Sequence, residues 1–253
     1  MKILLIAMLV VMPGFCAAQR LLDFRNDLAF EPVTIEAVAE RTYRARLQTL
    51  DADGRLDANG QLRDHLHGLM IRIAEAARFE RPESAMIEWE IHTCRRCGEN
   101  ASAMAGGKLL VGEEFIAELE PTDDELGYML AHEMGHVIAE HARESATTAR
   151  FLLGNGRNRD YEDLRSELDE SLVANLRLAP LYAQQEFEAD YIGLVLGART
   201  GFDPEAMPRL LRKLRSDAGS AFAMHPSEDE RIRRVETMLE MARRIRSVGI
   251  PRQ

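Results

Sequence analysis

The pentapeptide His132-Glu133-Met134-Gly135-His136 largely decides the interpretation of this chain, because it places two histidines four residues apart. On a helix, side chains with this spacing lie on one face, so both imidazoles can reach a single metal ion. Glu133 is then placed to act on a water molecule at that ion. Since the whole chain has only 7 histidines, a chance pair around a glutamate is the weaker interpretation.

The residues before the pentapeptide predict that it lies on a helix. Thr122 is followed three residues later by Glu125, which is the pattern of a capping box, and Asp123 and Asp124 favour a helix N-terminus. Apolar residues then recur at helical spacing, at Leu126, Leu130, Met134 and Val137. The sequence therefore predicts a helix that begins just after Pro121 and carries both histidines.

A catalytic zinc site has three protein ligands and an open position, so a third ligand is expected elsewhere in the chain. The metzincin pattern would need a glycine and a third histidine where this chain has Ala139 and Ala142, and His141 is one position off. Glu140 would lie about 12 Å along the helix from His132. The continuation of this helix therefore does not supply the ligand.

A second acidic motif lies in a long predicted helix over Tyr161–Leu196. Glu186 and Asp190 are four residues apart and share one face, whereas Glu188 lies about 200° of helical rotation from Glu186. One of the two carboxylates on the shared face can meet the metal while the other supports a ligand histidine. The surrounding residues are largely apolar, which is unusual for a plain solvated face.

Taken together, these motifs resemble those of a known family. H-E-x-x-H at 132–136, E-x-E-A-D at 186–190, the pair His225-Pro226 and then Arg231 resemble the HtpX/CAAX-prenyl-protease family of gluzincin zinc metallopeptidases, and within it the soluble, exported members. The resemblance covers roughly Tyr43 to Met241. It implies a peptide hydrolase with one zinc ion per chain.

The resemblance also implies a role for each matching residue. Zinc is expected on His132, His136 and Glu186, with Glu133 as the general base and Asp190 orienting a ligand histidine.

Two further residues match the downstream part of the family pattern. His225 either stabilises the oxyanion or occupies the open zinc position in a resting state, and Arg231 is a second candidate for the oxyanion.

The expected fold class is α+β and mostly helical: a zincin-like domain with a small antiparallel β-sheet beside the active-site helix. Alternation predicts a strand over Met86–Thr93, and a second extended stretch, Ala103–Val111, contains Gly106-Gly107. The resemblance implies that the segment from Ala101 to Gly112 is an edge strand that receives polypeptide substrates.

Composition limits the partners and the compartment. The chain has 253 residues and a formal charge of −10, which argues against nucleic acid as a partner. A basic start, a short apolar run and a small-residue site predict a cleavable signal peptide over residues 1–18, followed by a single metallopeptidase domain over residues 19–253. A periplasmic or secreted location is therefore expected, where Cys94 and Cys97 would form a local disulfide.

The function expected from these features is zinc-dependent endoproteolysis of unfolded or misassembled exported proteins. By resemblance, membrane-associated or outer-membrane proteins are among the expected clients. The alternative is a chaperone or assembly factor that keeps the zinc fold and cleaves little. The remaining histidines, His65, His67, His92 and His141, are expected to be ordinary surface or packed residues. The sequence does not indicate an oligomeric state.

Overall fold

The computed structural model describes residues 28–153, 159–217 and 228–250. The predicted signal peptide and His225 lie outside these residues. The described helices are α1 (Pro32–Ala52), α2 (Gly60–Glu80), α3 (Glu113–Leu119), α4 (Asp123–Ile138), α5 (His141–Leu152), α6 (Tyr161–Glu170), α7 (Leu172–Thr200), α8 (Ala206–Asp217) and α9 (Glu228–Val248). The strands are β1 (Glu90–Cys94), β2 (Ala101–Met104) and β3 (Lys108–Gly112), preceded by a 3₁₀ turn over Pro82–Met86. The mostly helical α+β class is confirmed.

The three strands form a sheet in the order β1-β3-β2, and this sheet is mixed. β1 is parallel to β3 and β2 is antiparallel to it, so the expectation of an antiparallel sheet is correct for one of the two pairs. The predicted strand over Met86–Thr93 was placed too early, because its first residue ends the 3₁₀ turn. Ala103–Val111 is a hairpin and not one strand, since Gly106 and Gly107 adopt positive φ angles and reverse the chain.

Helix α4 begins as the sequence predicts. The Thr122 hydroxyl accepts a hydrogen bond from the Glu125 backbone N–H, and the Glu125 carboxylate accepts one from the Thr122 N–H, which together form a capping box. Glu125 is buried, and its carboxylate also pairs with Lys213 of α8 at 2.7 Å. The cap therefore fixes the start of α4 and ties it to a neighbouring helix.

The predicted helix over Tyr161–Leu196 is two helices. The chain leaves helical geometry at Ser171, whose side chain accepts a hydrogen bond from Ala174 N–H and so caps the start of α7. Pro180 lies inside α7, and Gly201 ends that helix in the left-handed conformation. The acidic motif at 186–190 therefore lies well inside α7.

Helices α4 and α7 are in backbone contact beside the H-E-x-x-H motif. A Cβ atom on Gly193 would lie 2.9 Å from the backbone nitrogen of His132, and one on Gly135 would lie 3.1 Å from the carbonyl oxygen of Ala189. Any larger residue at these two positions would push the helices apart. The hydrophobic core surrounds this contact and includes Leu130 and Met134 of α4.

Two other features bear on the environment of the protein. Cys94 and Cys97 are joined by a disulfide, as predicted. Within the described chain, no helix combines the length and the hydropathy needed to cross a bilayer.

Gly193→Ala should destabilise the protein and displace the ligand histidine beside it, because the new methyl group has no room against the His132 backbone. Overpacking of this kind costs about 1–3 kcal/mol. Thermal unfolding should show a lower Tm. Gly68→Ala is the matched control, since a Cβ there meets nothing within 4 Å and the helix propensity of alanine should leave Tm unchanged or raise it. Equal Tm values for the two variants would contradict the close contact.

Candidate metal centre

Helices α4 and α7 bring three potential metal ligands together. Nε2 of His132 and Nε2 of His136 are 3.1 Å apart, and the Glu186 carboxylate oxygens lie 3.4 Å and 3.5 Å from these two atoms. His132 and His136 lie one helical turn apart on α4, whereas Glu186 lies on α7, on the other side of the helix contact. The structure thus brings the three predicted metal ligands to one point.

The spacing of these atoms fits a zinc ion. A tetrahedral ion with bonds of about 2.0–2.1 Å separates its ligand atoms by about 3.3 Å. The three observed separations, 3.1, 3.4 and 3.5 Å, lie close to this value. Two imidazoles and one carboxylate are also a donor set that catalytic zinc sites use, with one position left for water or substrate.

Asp190 supports His132 from behind. Its Oδ1 atom is 3.0 Å from Nδ1 of His132, so the ring nitrogen that faces away from the metal position has a carboxylate partner. Asp190 is 2% exposed, and burial alone would raise its pKa. Hydrogen bonds from Arg231 and His132 outweigh this effect and hold the pKa below its usual value. The Asp190 carboxylate thus contacts the outer nitrogen of His132, and its expected role in orienting that ligand stays a prediction.

Arg231 reaches this cluster from α9. Its guanidinium donates to both oxygens of Asp190, at 2.8 and 2.7 Å, and NH1 lies 3.0 Å from Oε2 of Glu186. The guanidinium thus holds a ligand carboxylate and a supporting carboxylate in fixed positions. This contact makes Arg231 a positioning residue, and its expected role at an oxyanion stays a prediction, as does that of His225.

The pKa values of the two histidines diverge. Burial lowers the pKa of His132, but its hydrogen bonds to Asp190 and Glu186 raise it to about 10. Burial and the neighbouring His132 charge lower the pKa of His136 well below its usual value. The two ligand histidines therefore lie in different electrostatic environments, since two carboxylates contact His132 and one contacts His136.

Glu133 lies beside the ligand cluster and close to the sheet. Burial raises the pKa of Glu133 to about 7, and the nearby backbone of Ala103 in β2 works against this increase. β2 is an edge strand, and its residue Ala103 lines the same cleft as Glu133 and the metal ligands. A half-buried carboxylate with a pKa near neutrality is suited to general base catalysis.

Comparison with known proteins agrees with this geometry. The profile of the family described as "Peptidase family M48" matches residues 60–239, which is more than half of the chain and includes every ligand described above. The chain belongs to peptidase family M48.

Several curated relatives carry protease names. The chain is 34% identical over 168 residues to the mitochondrial metalloendopeptidase OMA1 of Schizosaccharomyces pombe, which covers 62% of this chain and 48% of that protein. It is 29% identical to the OMA1 protein of Arabidopsis thaliana, over 57% of this chain and 30% of that protein. It is 30% identical to the Beta-barrel assembly-enhancing protease of Yersinia pestis, over 53% of this chain and 31% of that protein. The chain therefore spans about half, or less, of the length of these M48 relatives.

Zinc is the metal on which M48 metallopeptidases depend, and the ligand set of this chain fits it. His132, His136 and Glu186 each offer one ligand atom, and these atoms lie within 4.8 Å of one another. The expectation of a zinc cofactor is confirmed at the level of the family and of the donor set.

One contact of a ligand histidine could not be predicted from the sequence. His141 is 4% exposed, and its Nδ1 atom is 2.9 Å from Nδ1 of His136. Glu188, which lies off the ligand face as predicted, has Oε2 at 3.5 Å from Nε2 of His141. The five-residue spacing between the two histidines gave no signal for this contact, because it would put them on different faces of a continuous helix.

Glu186→Gln should lower zinc affinity by orders of magnitude, because the amide is a poor replacement for the third anionic ligand. Asp190→Asn should lower affinity by about 10–100-fold, since it removes only the support of His132. Competition titration against a chromophoric chelator measures both effects. Glu118→Gln, an exposed change in the same cleft, is the control and should bind zinc like the wild type. A Glu186→Gln variant with wild-type affinity would contradict the ligand assignment.

Proposed function

We propose that this chain is a zinc metalloendopeptidase that hydrolyses internal peptide bonds of extended polypeptides. The observation that carries the proposal is the position of Glu133, whose carboxylate lines the same cleft as the three metal ligands and Ala103 of the edge strand. A peptide lying along that strand would bring its backbone carbonyls close to both the base and the metal position. The names of the M48 relatives agree with this activity.

The register of the hairpin supports a substrate that binds as an added strand. Gly112 N–H of β3 donates to Asn100 O, so in this register Asn100, Ser102 and Met104 direct their backbone groups towards β3. In an antiparallel pair the direction alternates, which leaves the N–H and C=O groups of Ala101 and Ala103 facing the cleft. These groups could pair with the backbone of an extended peptide.

The cleft has room for a polymer. Its volume is about 1190 Å³, whereas pockets for small molecules are about 300–1,000 Å³. Small residues form its strand side, Ala101, Ser102 and Ala103, and apolar side chains such as Phe115 and Met129 line another part. Recognition through the backbone predicts broad tolerance for the side chains of unfolded chains.

The ligands, Glu133 and the edge strand each have a separate role in the proposed reaction. Zinc, when bound by His132, His136 and Glu186, supplies Lewis-acid polarisation of the scissile carbonyl and lowers the pKa of a water. Glu133 takes a proton from the attacking water and then returns it to the leaving amine. The edge strand holds the peptide in the extended conformation that presents its carbonyl to this site.

Glu133→Gln should abolish cleavage of unfolded casein and leave zinc bound, because the amide cannot take a proton while all three ligands remain. Loss of activity by a factor of at least about 100 is expected. Turnover measured beside zinc content gives both results, with chelated wild-type protein as the second inactive sample. Wild-type turnover by the variant would exclude Glu133 as the base. Zinc binding without any casein cleavage by the wild type would instead favour the chaperone or assembly factor.

A series of cleavable peptides, each with one backbone nitrogen methylated, should show a KM that alternates with the position of the methyl group. Methylation removes one N–H, so it should raise KM at the residues whose N–H faces β2 and have little effect at the residues between them. Steady-state kinetics on a single peptide series measures this pattern. A uniform effect along the peptide would argue against binding as an added strand.

We also propose that the protein acts outside the cytoplasm, on unfolded or misassembled exported proteins, with membrane-associated or outer-membrane proteins among its clients. The Cys94–Cys97 disulfide supports this location, because such bonds persist in oxidising compartments. The proposed leader over residues 1–18 is expected to be removed, which would make Gln19 the first residue of the exported protein. N-terminal sequencing of protein from the native host tests the location, and retention of Met1 would contradict it.

A further inference from the structure

His141 is a buried side chain that the proposed mechanism does not use. It lies at the start of α5, just beyond the sharp turn at Glu140, whose φ angle is +55°. The turn folds the chain back so that the His141 ring packs edge-on against the His136 ring, with centroids 4.8 Å apart. A buried imidazole at this position needs partners for both of its nitrogens.

The contact joins the outer nitrogens of the two rings. His136 directs Nε2 towards His132 and Glu186, while its Nδ1 is 2.9 Å from Nδ1 of His141. His132 is arranged in the same way, with Nε2 at the ligand cluster and Nδ1 on Asp190. The outer nitrogen of each ligand histidine therefore has a side-chain neighbour, and for His136 that neighbour is another histidine.

We propose that His141 and Glu188 together form the support that orients His136 for the metal. The inference rests on the proposed metal centre, and it assigns a role to two residues that lie outside the ligand set. Glu188 holds His141, His141 holds His136, and His136 binds the ion. The opposite ligand, His132, is held directly by Asp190.

The donor and acceptor roles of the ring nitrogens fix the direction of the contacts that run from His136 through His141 to Glu188. A histidine that binds a metal through Nε2 keeps its proton on Nδ1, so His136 donates from Nδ1. Nδ1 of His141 must then accept, which puts the proton of the neutral His141 ring on Nε2. That atom is buried, has no hydrogen bond within the described residues, and lies 3.5 Å from Oε2 of Glu188. The carboxylate is thus on the side where the tautomer needs an acceptor.

Neighbouring groups hold His141 in place. The side-chain amide of Gln185, also on α7, donates to the backbone carbonyl of His141 at 3.2 Å and to the Glu144 carboxylate at 2.8 Å. The Gln185 carbonyl in turn accepts a hydrogen bond from the Ser145 hydroxyl. The first turn of α5 is therefore fixed against α7 independently of the imidazole, so a change at position 141 can be made without releasing the helix.

Zinc affinity tests the proposal without using proteolysis as the readout. His141→Leu should lower the affinity by about 10–100-fold, because it removes the acceptor for His136. His141→Asn should retain more affinity than His141→Leu, since its side-chain oxygen can accept in place of Nδ1. Glu188→Gln should lower affinity by about fivefold, because a neutral acceptor replaces a charged one. His67→Leu, a change of an exposed histidine, is the control and should bind like the wild type.

The zinc affinity of the double variant His141→Leu/Glu188→Gln distinguishes two explanations. Either Glu188 acts on His136 through His141, or the two residues have independent effects on packing. If Glu188 acts through His141, its replacement should cost nothing further once His141 is absent, whereas independent effects would multiply. Thermal unfolding of the metal-free variants reports whether each one folds. Wild-type affinity in His141→Leu, equal losses in His141→Leu and His141→Asn, or multiplicative losses in the double variant would overturn the proposal. A wild-type protein that binds no zinc would overturn the metal centre itself.

Discussion

The contact between α4 and α7 at Gly135 and Gly193 is the constraint on which the rest of the structure depends. The backbones meet where a side chain at either position would collide with the other helix. At this separation Glu186 of α7 comes to 3.4 and 3.5 Å from the two histidines of α4. A wider gap of even one methyl group would exceed the spacing that a tetrahedral zinc ion requires.

The same helix contact brings several carboxylates close together, and nearby positive charge offsets them. Glu186 and Asp190 are buried on one face of α7, and Glu133 lies opposite them on α4. Arg231 is the cation that reaches both α7 carboxylates. Desolvation of such groups is costly unless they are paired, so the Arg231 guanidinium stabilises the arrangement. The ion that the ligands fit would supply further positive charge at the same point.

Much of the centre could be predicted from the sequence because it depends on regular helices. The capping box at Thr122 and Glu125, the four-residue spacing of the histidines and the shared face of Glu186 and Asp190 all follow from helical periodicity. The role of His141 could not be predicted in this way, because it depends on a break in the helix at Glu140. Glycine or asparagine is the usual residue in that left-handed conformation, and a glutamate gives no such signal. The strand order could not be predicted from the sequence either. The parallel pairing of β1 with β3 depends on contacts that the local alternation of residues does not encode.

The motif at 186–190 places three acids within five residues, and the geometry of α7 sends them to three positions. Glu186 and Asp190 differ by about 40° of rotation and reach the metal position and His132, whereas Glu188 is on another face and reaches the ring behind His136. Among the described residues, the carboxylates that pair with these three histidines thus come from one helix. A shift of α7 would disturb the ligand and both supports together, because none of them can move alone. The centre is therefore expected to form or fail as a unit, and the close glycine contact that fixes α7 is as much a part of it as the ligands are.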